Sequence, residues 1–393
     1  MRVKKMIVVI IVCCLTYCLS GCWDMVEINQ LAIINMTGID FDPKTKKLKV
    51  YYHIINPKGI TAKPGVDRAP FYSFHVEGSN TSQIISKANN VIGRNLFPDH
   101  YQAIVVTDRF AKAGIKNTIN FHERQVERRS FIHLFVTESP LEKIMKTYMT
   151  LDKLEGTALR ALAENQAKEF GTVSKFSRMK DIAENMETSA TTFLPIVGIQ
   201  DSNQPNAKRY EEINANLGNL VLTGGAIMKK DQMIGRLGLS DMKSTLILRG
   251  ENERFYNTLH SNGKMMDIQS INTKVNKKLT IEDGTPIWKV NLYTELRILD
   301  NNLDEPLTLQ NQNKVKERYK KFLIKQLIAI YEKGKKQNWD LFDLEATLQR
   351  SQGKEWKNMH KKDSWKKIKL DLEVNCKFID VGEIIDPYKG KGS

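Results

Sequence analysis

The chain has 393 residues, and its 60 Lys and Arg residues against 45 Asp and Glu residues give it a formal net charge of +15 at pH 7. One hydrophobic core seldom organises more than about 250–300 residues, so this length predicts two or three domains. Hydrophobic residues make up 41% and charged residues 27% of the sequence. This balance excludes a mainly disordered chain and indicates a globular protein.

The first segment of the chain has the pattern of a bacterial lipoprotein signal. Basic residues among the first five positions precede an apolar stretch over 6–19, which is shorter than the about 20 residues needed to cross a membrane. Ser20 and Gly21 then precede Cys22, whose thiol could carry a diacylglycerol. The sequence therefore predicts a signal peptide over 1–21 that is removed, and a mature chain with a lipid anchor on Cys22. The alternative is an ordinary secretory signal, or a short buried segment, with a chance cysteine.

Export would decide which partners a basic chain can meet. Two acyl chains on Cys22 are enough for stable membrane anchoring, and later apolar stretches such as 131–136 and 193–199 have only the length of strands. We expect a globular body at a membrane surface, attracted to anionic lipid headgroups, wall polymers or acidic partners rather than to nucleic acid. Cys376 is the one cysteine after Cys22, which excludes a disulfide framework within the mature chain.

The N-terminal region, 22–205, alternates strand-like and helix-like segments. Short runs rich in branched and aromatic residues predict strands, and apolar residues at helical spacing predict helices. The predicted strands are 33–40, 48–56, 71–77, 101–106, 131–136 and 193–199, and the predicted helices are 81–96, 108–126, 141–149 and 157–168. We therefore expect an N-terminal α/β region.

A polar segment, 206–218, is predicted to link this region to a C-terminal domain over 219–386, with a flexible tail over 387–393. The predicted C-terminal elements are a hairpin of strands 220–228 and 233–237, long strands 265–275 and 288–299, a lysine-rich helix 314–333 and a last strand 368–379. The simplest packing is an antiparallel-rich sheet covered by the long helix. The predicted fold class is α+β, a multidomain body of mixed sheets with packed helices.

No motif of a catalytic or metal site stands in the sequence. The seven histidines lack the H-E-x-x-H and Cys/His spacings of zinc sites, and His122 with Glu123 lacks the second histidine of such a motif. The G-x-S-x-G pattern of hydrolases and the glycine patterns of nucleotide-binding loops are also missing. We therefore predict a protein with no catalytic residues, no cofactor and no metal ligands.

A lysine-rich segment with two tryptophans, 353–369, is the candidate surface for a membrane or a partner. Trp356 and Trp365 are expected to pack inward, while the lysines stay solvated and face anionic headgroups. Binding of single-stranded nucleic acid by the same residue types is the alternative. The lysines of this candidate patch are Lys354, Lys357, Lys361, Lys362, Lys366 and Lys367.

Several segments, taken in order, resemble one known family. The segment from Cys22 to Asn29 is similar to the mature start of the Ger(x)C family, the C subunits of spore germinant receptors. Similar elements follow at 32–34, 38–40, the hairpin 225–231 with 235–237, the helix 314–333, the turn 338–340, and Trp356 and Trp365 before the last strand. One departure is the stretch 339–342, where family members often have a turn that contains glycine.

The resemblance implies a lipoprotein on the outer face of the spore inner membrane, assembled with a polytopic A subunit and a transporter-like B subunit. It implies a role in the response to small nutrients such as amino acids, sugars or nucleosides. It also implies three α/β subdomains, so that the region 22–205 would hold two of them. Two alternatives are an extracytoplasmic solute-binding lipoprotein that serves a transporter, and a cell-wall hydrolase. The sequence has neither the two-lobe repeat of the first nor the nucleophile or metal motifs of the second.

Overall fold

The computed structural model describes residues 5–7, 27, 30–60, 69–98, 100–124, 132–147, 149, 152, 154–200, 219–261, 263–302, 308–351 and 363–380. These residues form a nine-stranded sheet and a four-stranded sheet, both packed with helices. The predicted α+β class is therefore confirmed. Cys22, the linker 206–218 and most of the candidate lysine patch lie outside the described residues.

The first part of the chain supplies most of the nine-stranded sheet. Its strands are β1 (Leu31–Asp42), β2 (Lys47–Ile55), β3 (Phe71–Gly78), β4 (Asn95–Phe97), β5 (Ala103–Thr107), β6 (His133–Thr137) and β7 (Thr191–Gln200). Its helices are α1 (Pro57–Ile60), α2 (Thr81–Ile92), α3 (Asp108–Ala113), α4 (Lys116–Glu123), α5 (Leu141–Lys146), α6 (Glu155–Asn165), which continues into a π-helical turn over 166–170, and α7 (Met179–Thr188).

The second part begins with β8 (Asn219–Lys229) and β9 (Gln232–Gly238), which continue the same sheet. It goes on with α8 (Leu239–Arg249), β10 (Phe255–Ser261), β11 (Lys264–Glu282), β12 (Thr285–Asn301), α9 (Leu309–Gln337), α10 (Leu344–Arg350), a 3₁₀ turn over Ser364–Lys367 and β13 (Lys369–Asp380).

The nine-stranded sheet is parallel at its centre and antiparallel at both ends. The strand order is β3-β2-β1-β5-β6-β7-β8-β9, with β4 beside β1, and the pairs from β1 to β7 along this order are parallel. Every residue of β5 and β6 is buried, as expected for central parallel strands with helices on both faces. One face packs on α2, α3, α4 and α7, and the other packs on α5 and α6.

The four-stranded sheet, β10-β11-β12-β13, carries the long helix α9 on one face. Alternate residues of β12 are buried against this helix, which is the pattern of a sheet covered on one side. The hydroxyl of Tyr319 on α9 accepts a hydrogen bond from Asn257 Nδ2 at 3.0 Å and shares another with Ser270 Oγ at 2.7 Å. The helix begins after the side-chain cap of Thr308 and ends at Asn338, which has the left-handed conformation with a φ of 59°.

The structure differs from the sequence predictions in places with a clear physical reason. The predicted helix 108–126 is two helices, α3 and α4, which meet at Gly114 with a φ of 116°. A side chain there would bring a Cβ within 2.7 Å of the carboxylate of Asp231, so only glycine fits the bend. The predicted hairpin at 220–237 is present as β8 and β9, but it pairs with β7 and completes the N-terminal sheet. The proposed domain boundaries themselves stay a prediction.

A polar junction joins the large sheet to the region around the second sheet. The side chain of Arg249, at the end of α8, donates from Nε to Glu251 at 2.6 Å and from Nη1 to Asp343 at 3.0 Å. Asp343 also accepts from the backbone N–H of Thr191 at 2.7 Å, and Glu251 accepts from the hydroxyl of Ser174 at 2.6 Å. Arg249 therefore ties together β7, the segment before α7 and the loop after α9.

Candidate functional site

The structure describes two of the six lysines of the candidate patch. Lys366 and Lys367 lie in the 3₁₀ turn before β13, whereas Lys354, Lys357, Lys361 and Lys362 lie outside the described residues. Trp365 is 4% exposed and belongs to the core of the second sheet. The prediction that Trp365 packs inward is therefore confirmed, and the two lysines beside it stay accessible at the surface.

Hydrogen bonds hold this turn against the end of helix α9. The backbone carbonyl of Ile368 accepts a hydrogen bond from the hydroxyl of Tyr331 at 2.8 Å and one from the ammonium group of Lys335 at 3.3 Å. Lys366 lies 3.8 Å from the carboxylate of Asp363, and Lys367 is exposed. The two patch lysines are thus placed next to the lysine-rich last turns of α9.

Helix α9 presents a second set of basic side chains on its solvent face. Its buried residues lie on one stripe that contains Val315, Tyr319, Leu323, Leu327 and Ile330. On the opposite stripe, basic residues recur at helical spacing from Lys314 to Lys325, and Lys336 follows eleven residues later, beyond Glu332. The stripe extends over about 33 Å, since each residue adds about 1.5 Å. We call this stripe the basic ridge, and its members are Lys314, Arg318, Lys321, Lys325 and Lys336.

The charge of the basic ridge is only partly balanced by nearby acids. Elsewhere on α9, Lys333 pairs with Asp241 at 2.6 Å and Lys335 lies 3.9 Å from Glu332. Within the described part of the chain, Lys321, Lys325 and Lys336 have no carboxylate within 4.0 Å. A row of such lysines creates a positive surface potential that attracts anions. Together with Lys366 and Lys367, the ridge forms the candidate docking surface.

In the sequence, the lysines of α9 are recognisable only as the solvated side of a helix. The signal that could have revealed the ridge is the recurrence of basic residues at steps of three and four from Lys314 to Lys325. The sequence cannot show that the turn at 364–367 packs beside the end of α9, because the two hydrogen bonds of this contact join residues 37 and 33 positions apart in the chain. The docking surface is therefore larger than the predicted patch.

The acidic side chains at the junction are held by hydrogen bonds from both sides. Each oxygen of Glu251 has a hydrogen-bond partner, one in Arg249 and one in Ser174, and both oxygens of Asp343 are likewise engaged. These hydrogen bonds fix both carboxylates within the network around Arg249. Among the described residues, no group of three or more His, Cys, Asp or Glu side chains is arranged to hold a metal ion.

Comparisons with known proteins assign the chain to a family. Two family models match it in order, one described as "Spore germination protein N-terminal domain" over residues 24–199 and one as "Spore germination B3/ GerAC like, C-terminal" over residues 223–382. Together they account for nearly all of the chain. The chain belongs to the Ger(x)C family of spore germination proteins.

Individual relatives agree with this assignment. Spore germination protein KC of Bacillus subtilis (strain 168) is 24% identical, over 95% of this chain and 94% of the relative. Spore germination protein A3 of the same organism is 22% identical, over 73% of this chain and 72% of the relative. The crystal structure of the GerBC protein matches with a TM-score of 0.55 and 12% identity, over 87% of this chain and 97% of that chain. Because the identity is 12%, the match to GerBC shows that the two proteins share a fold and nothing beyond the fold.

The described helices of this Ger(x)C protein include none that combines the length and the apolar composition of a membrane span. The longest of them, α9, has 29 residues and carries the basic ridge.

Proposed function

We propose that this Ger(x)C protein is the C subunit of a spore nutrient germinant receptor. In this proposal it is anchored by lipid on Cys22 to the outer face of the spore inner membrane, assembles with membrane A and B subunits and works without catalysis. The observation that carries the proposal is the match of both family models, in order, along nearly the whole chain. The relatives named for spore germination support it, whereas the solute-binding alternative gains no support from them.

In this proposal the docking surface acts next to the anchor, at the membrane. A lysine near an anionic bilayer surface contributes about 1 kcal/mol of attraction, and this contribution falls off within about one Debye length. The basic ridge and the pair Lys366 and Lys367 would orient the body against headgroups once the lipid on Cys22 holds it there. Orientation by these lysines would present a fixed face to the A and B subunits.

Replacement of Cys22 by alanine tests the anchor. The Cys22→Ala protein is expected to lose the diacylglycerol-modified N-terminal peptide in mass spectrometry, to leave the membrane fraction of spores and to slow nutrient-triggered germination. Cys376→Ala is the matched control, because Cys376 is a half-buried residue of β13 with no role in the anchor. If the Cys22→Ala protein stays in the membrane fraction and germination is normal, the anchoring proposal is wrong.

Co-purification tests the partners separately from the anchor. Wild-type protein extracted from spore membranes with mild detergent is expected to carry polytopic A and B subunits, identified by mass spectrometry. Recovery of the protein without any such subunit, under conditions that preserve other membrane complexes, would contradict the receptor proposal. A hydrolytic or transferase activity in the purified complex that depends on this chain would contradict the absence of catalysis.

Neutralisation of the ridge tests its attraction to lipid. The triple variant Lys321→Gln, Lys325→Gln and Lys336→Gln, in a mature chain with Cys22→Ala, is expected to bind phosphatidylglycerol vesicles on the order of a hundredfold more weakly, since three contributions of about 1 kcal/mol are lost. The measurement is vesicle sedimentation at low and high salt. The matched control replaces Lys274, Lys278 and Lys377, three exposed lysines of the second sheet, with glutamine. An equal loss of vesicle binding in both triple variants would show that the basic ridge does not bind the vesicles specifically.

A further inference from the structure

A cavity of about 340 Å³ lies in the N-terminal part of the protein, between the nine-stranded sheet and the helices on one of its faces. Strands β1 and β2 form its floor, and α2, α3 and α4 contribute its walls. This size falls within the usual range for small-molecule sites. The apolar lining includes Ile39, Val50, Ile84, Phe110 and Phe121.

A buried hydroxyl at the floor of the cavity lacks a hydrogen-bond partner. Thr37, in the middle of β1, is 3% exposed, and among the described residues nothing hydrogen-bonds its Oγ1. Thr37 shares its face of β1 with Ile39, which also lines the cavity. Burying a hydroxyl without a partner is unfavourable, so a ligand atom that hydrogen-bonds Thr37 would relieve this cost.

The charges around the cavity favour an anionic ligand. No Asp or Glu is among its lining residues, whereas Lys46, in the turn between β1 and β2, lines its outer end. Within the described residues, the ammonium group of Lys46 has no carboxylate within 4.0 Å. The nearby Asp42 instead accepts hydrogen bonds from the backbone of Lys44 and the hydroxyl of Thr45 within its own turn. A cationic ligand would find no acidic partner here.

Among the polar residues of the lining, the unpartnered hydroxyl of Thr37 and the ammonium group of Lys46 come from separate parts of the chain. Five residues of β1 separate Thr37 from the turn that carries Lys46, which is about 17 Å along an extended strand. The long side chain of Lys46 reaches back over part of this distance. The arrangement therefore fits an elongated molecule with an apolar body, one hydrogen-bonding atom at its inner end and an anionic group at its outer end.

We propose that this cavity binds a small apolar carboxylate whose far end carries a hydrogen-bonding group, with Thr37 and Lys46 as its two polar contacts. The apolar body packs between Ile39 and Val50 of the sheet and Phe110 and Phe121 of the helices. The proposal does not rest on the lipid anchor or on the A and B subunits. It adds a ligand site within the C subunit itself.

The probes for this site are 3-(4-hydroxyphenyl)propanoate, 3-phenylpropanoate and tyramine, titrated by calorimetry into the full chain held in nanodiscs. Both acids are expected to bind and tyramine, which replaces the carboxylate by an amine, is not. Thr37→Val removes the hydroxyl at nearly constant shape, so it should weaken the hydroxylated acid about three- to tenfold and leave 3-phenylpropanoate unchanged. Lys46→Gln should weaken both acids.

A blocking variant separates binding in the cavity from binding elsewhere. Ala113 is an exposed residue at the mouth of the cavity, so Ala113→Trp should abolish binding of both acids without disturbing the core. Ala329→Trp, on the exposed side of α9, is the matched control and should bind as the wild type does. Binding that survives Ala113→Trp, binding of tyramine as tight as that of the acids, or no binding of either acid at millimolar concentration would each overturn the proposal.

The melting temperature of the ligand-free protein tests separately whether the hydroxyl of Thr37 lacks a hydrogen-bond partner. Because Thr37→Val replaces an unpartnered buried hydroxyl by a methyl group, the free variant is expected to melt at a higher temperature than the wild type. A lower melting temperature would mean that the hydroxyl already has a partner, and it would remove the reason for a polar ligand atom at this end.

Discussion

Replacing Arg249 by methionine is expected to lower the free energy of unfolding by about 3–5 kcal/mol. The Arg249 side chain is 18% exposed, and its guanidinium hydrogen-bonds the carboxylates of Glu251 and Asp343, whose side chains are 7% and 16% exposed. Methionine fills much of the volume but leaves Glu251 without its cation and Asp343 with only Lys229, whose ammonium lies 3.9 Å from the Asp343 carboxylate. Such an uncompensated charge is far more costly than the loss of an ion pair at the surface.

The contacts of Arg249 explain why its replacement would affect more of the fold than its two acidic partners. Nη1 of the guanidinium also donates to the backbone carbonyl of Leu341 at 2.9 Å, so the side chain fixes the loop after α9 as well as two acids. Burial lowers the pKa of Arg249, but Glu251 and Asp343 outweigh this effect and hold the pKa above its ordinary value. The side chain therefore stays charged in the folded protein, and its partners depend on that charge.

Urea unfolding of wild type and variants checks this prediction. Arg254→Met is the matched control, because Arg254 also pairs with an acid, Glu169, but its side chain is 43% exposed, and an exposed pair contributes at most about 1 kcal/mol. Adding Glu251→Gln and Asp343→Asn to Arg249→Met should restore part of the lost stability by removing the unpaired charges. A loss below about 1 kcal/mol for Arg249→Met would show that water already screens the junction.

The sequence predicts well those elements whose pattern is local. Helix α9 follows from its apolar stripe, and its observed span, Leu309–Gln337, is longer at both ends than the predicted 314–333 because a cap at Thr308 and a left-handed Asn338 set the ends. Strands β5 and β6 follow from short apolar runs. The β8–β9 hairpin follows from two strand-like runs around a turn at Lys230, which has a positive φ of 54°.

Other elements carry no local signal that distinguishes them. Helix α8 (Leu239–Arg249) is buried from Ser244 to Leu248 without interruption, so the polar face that marks an amphipathic helix is missing and the sequence pattern predicts no helix there. The pairing of β8 with β7 is also invisible to periodicity, since 18 residues outside the described ranges separate them. Only tertiary packing decides that this hairpin completes the large sheet.

The same distinction applies to the candidate sites. Lysines at helical spacing can be recognised in the sequence, but the meeting of α9 with the turn at Lys366 depends on the long-range hydrogen bonds of Ile368. Thr37 stands within a strand as an ordinary β-branched residue. Thr37 is a candidate ligand contact because its hydroxyl is buried without a hydrogen-bond partner, which only the structure reveals.

As the pH falls from 6.5 to about 4, His53 is expected to destabilise the folded protein by about 3 kcal/mol. His53 is 1% exposed on β2, stacks on Phe71 with ring centroids 4.2 Å apart, and hydrogen-bonds the carbonyl of Met145 through Nε2 at 2.5 Å. Burial lowers the pKa of His53 from 6.5 to about 4, and the hydrogen bond to Met145 opposes this only in part. The imidazole is therefore neutral in the folded protein at pH 7.

The direction of the change in stability with pH follows from which state, folded or unfolded, takes up the proton. Below pH 6.5 the unfolded chain protonates His53 while the folded protein does not, so the unfolded state is favoured progressively until the pH reaches about 4. The neighbouring Glu155, 3.8 Å from Nδ1, acts in the opposite direction. Burial raises the pKa of Glu155 well above 4.5, so its folded form keeps a proton that the unfolded chain loses as the pH rises.

The contribution of His53 is isolated by comparing wild type with His53→Phe across pH, each carrying Glu155→Gln so that the neighbouring carboxyl cannot titrate. Phenylalanine keeps the stacking on Phe71 but cannot be protonated. Whatever its stability at pH 7, the variant should gain about 3 kcal/mol relative to wild type between pH 7 and pH 4 in urea unfolding. His75→Phe on the neighbouring strand is the control, since His75 is exposed. A difference between wild type and His53→Phe that stays constant with pH would mean that His53 is protonated as readily in the folded protein as in the unfolded chain, and that water reaches the space between β2 and α6.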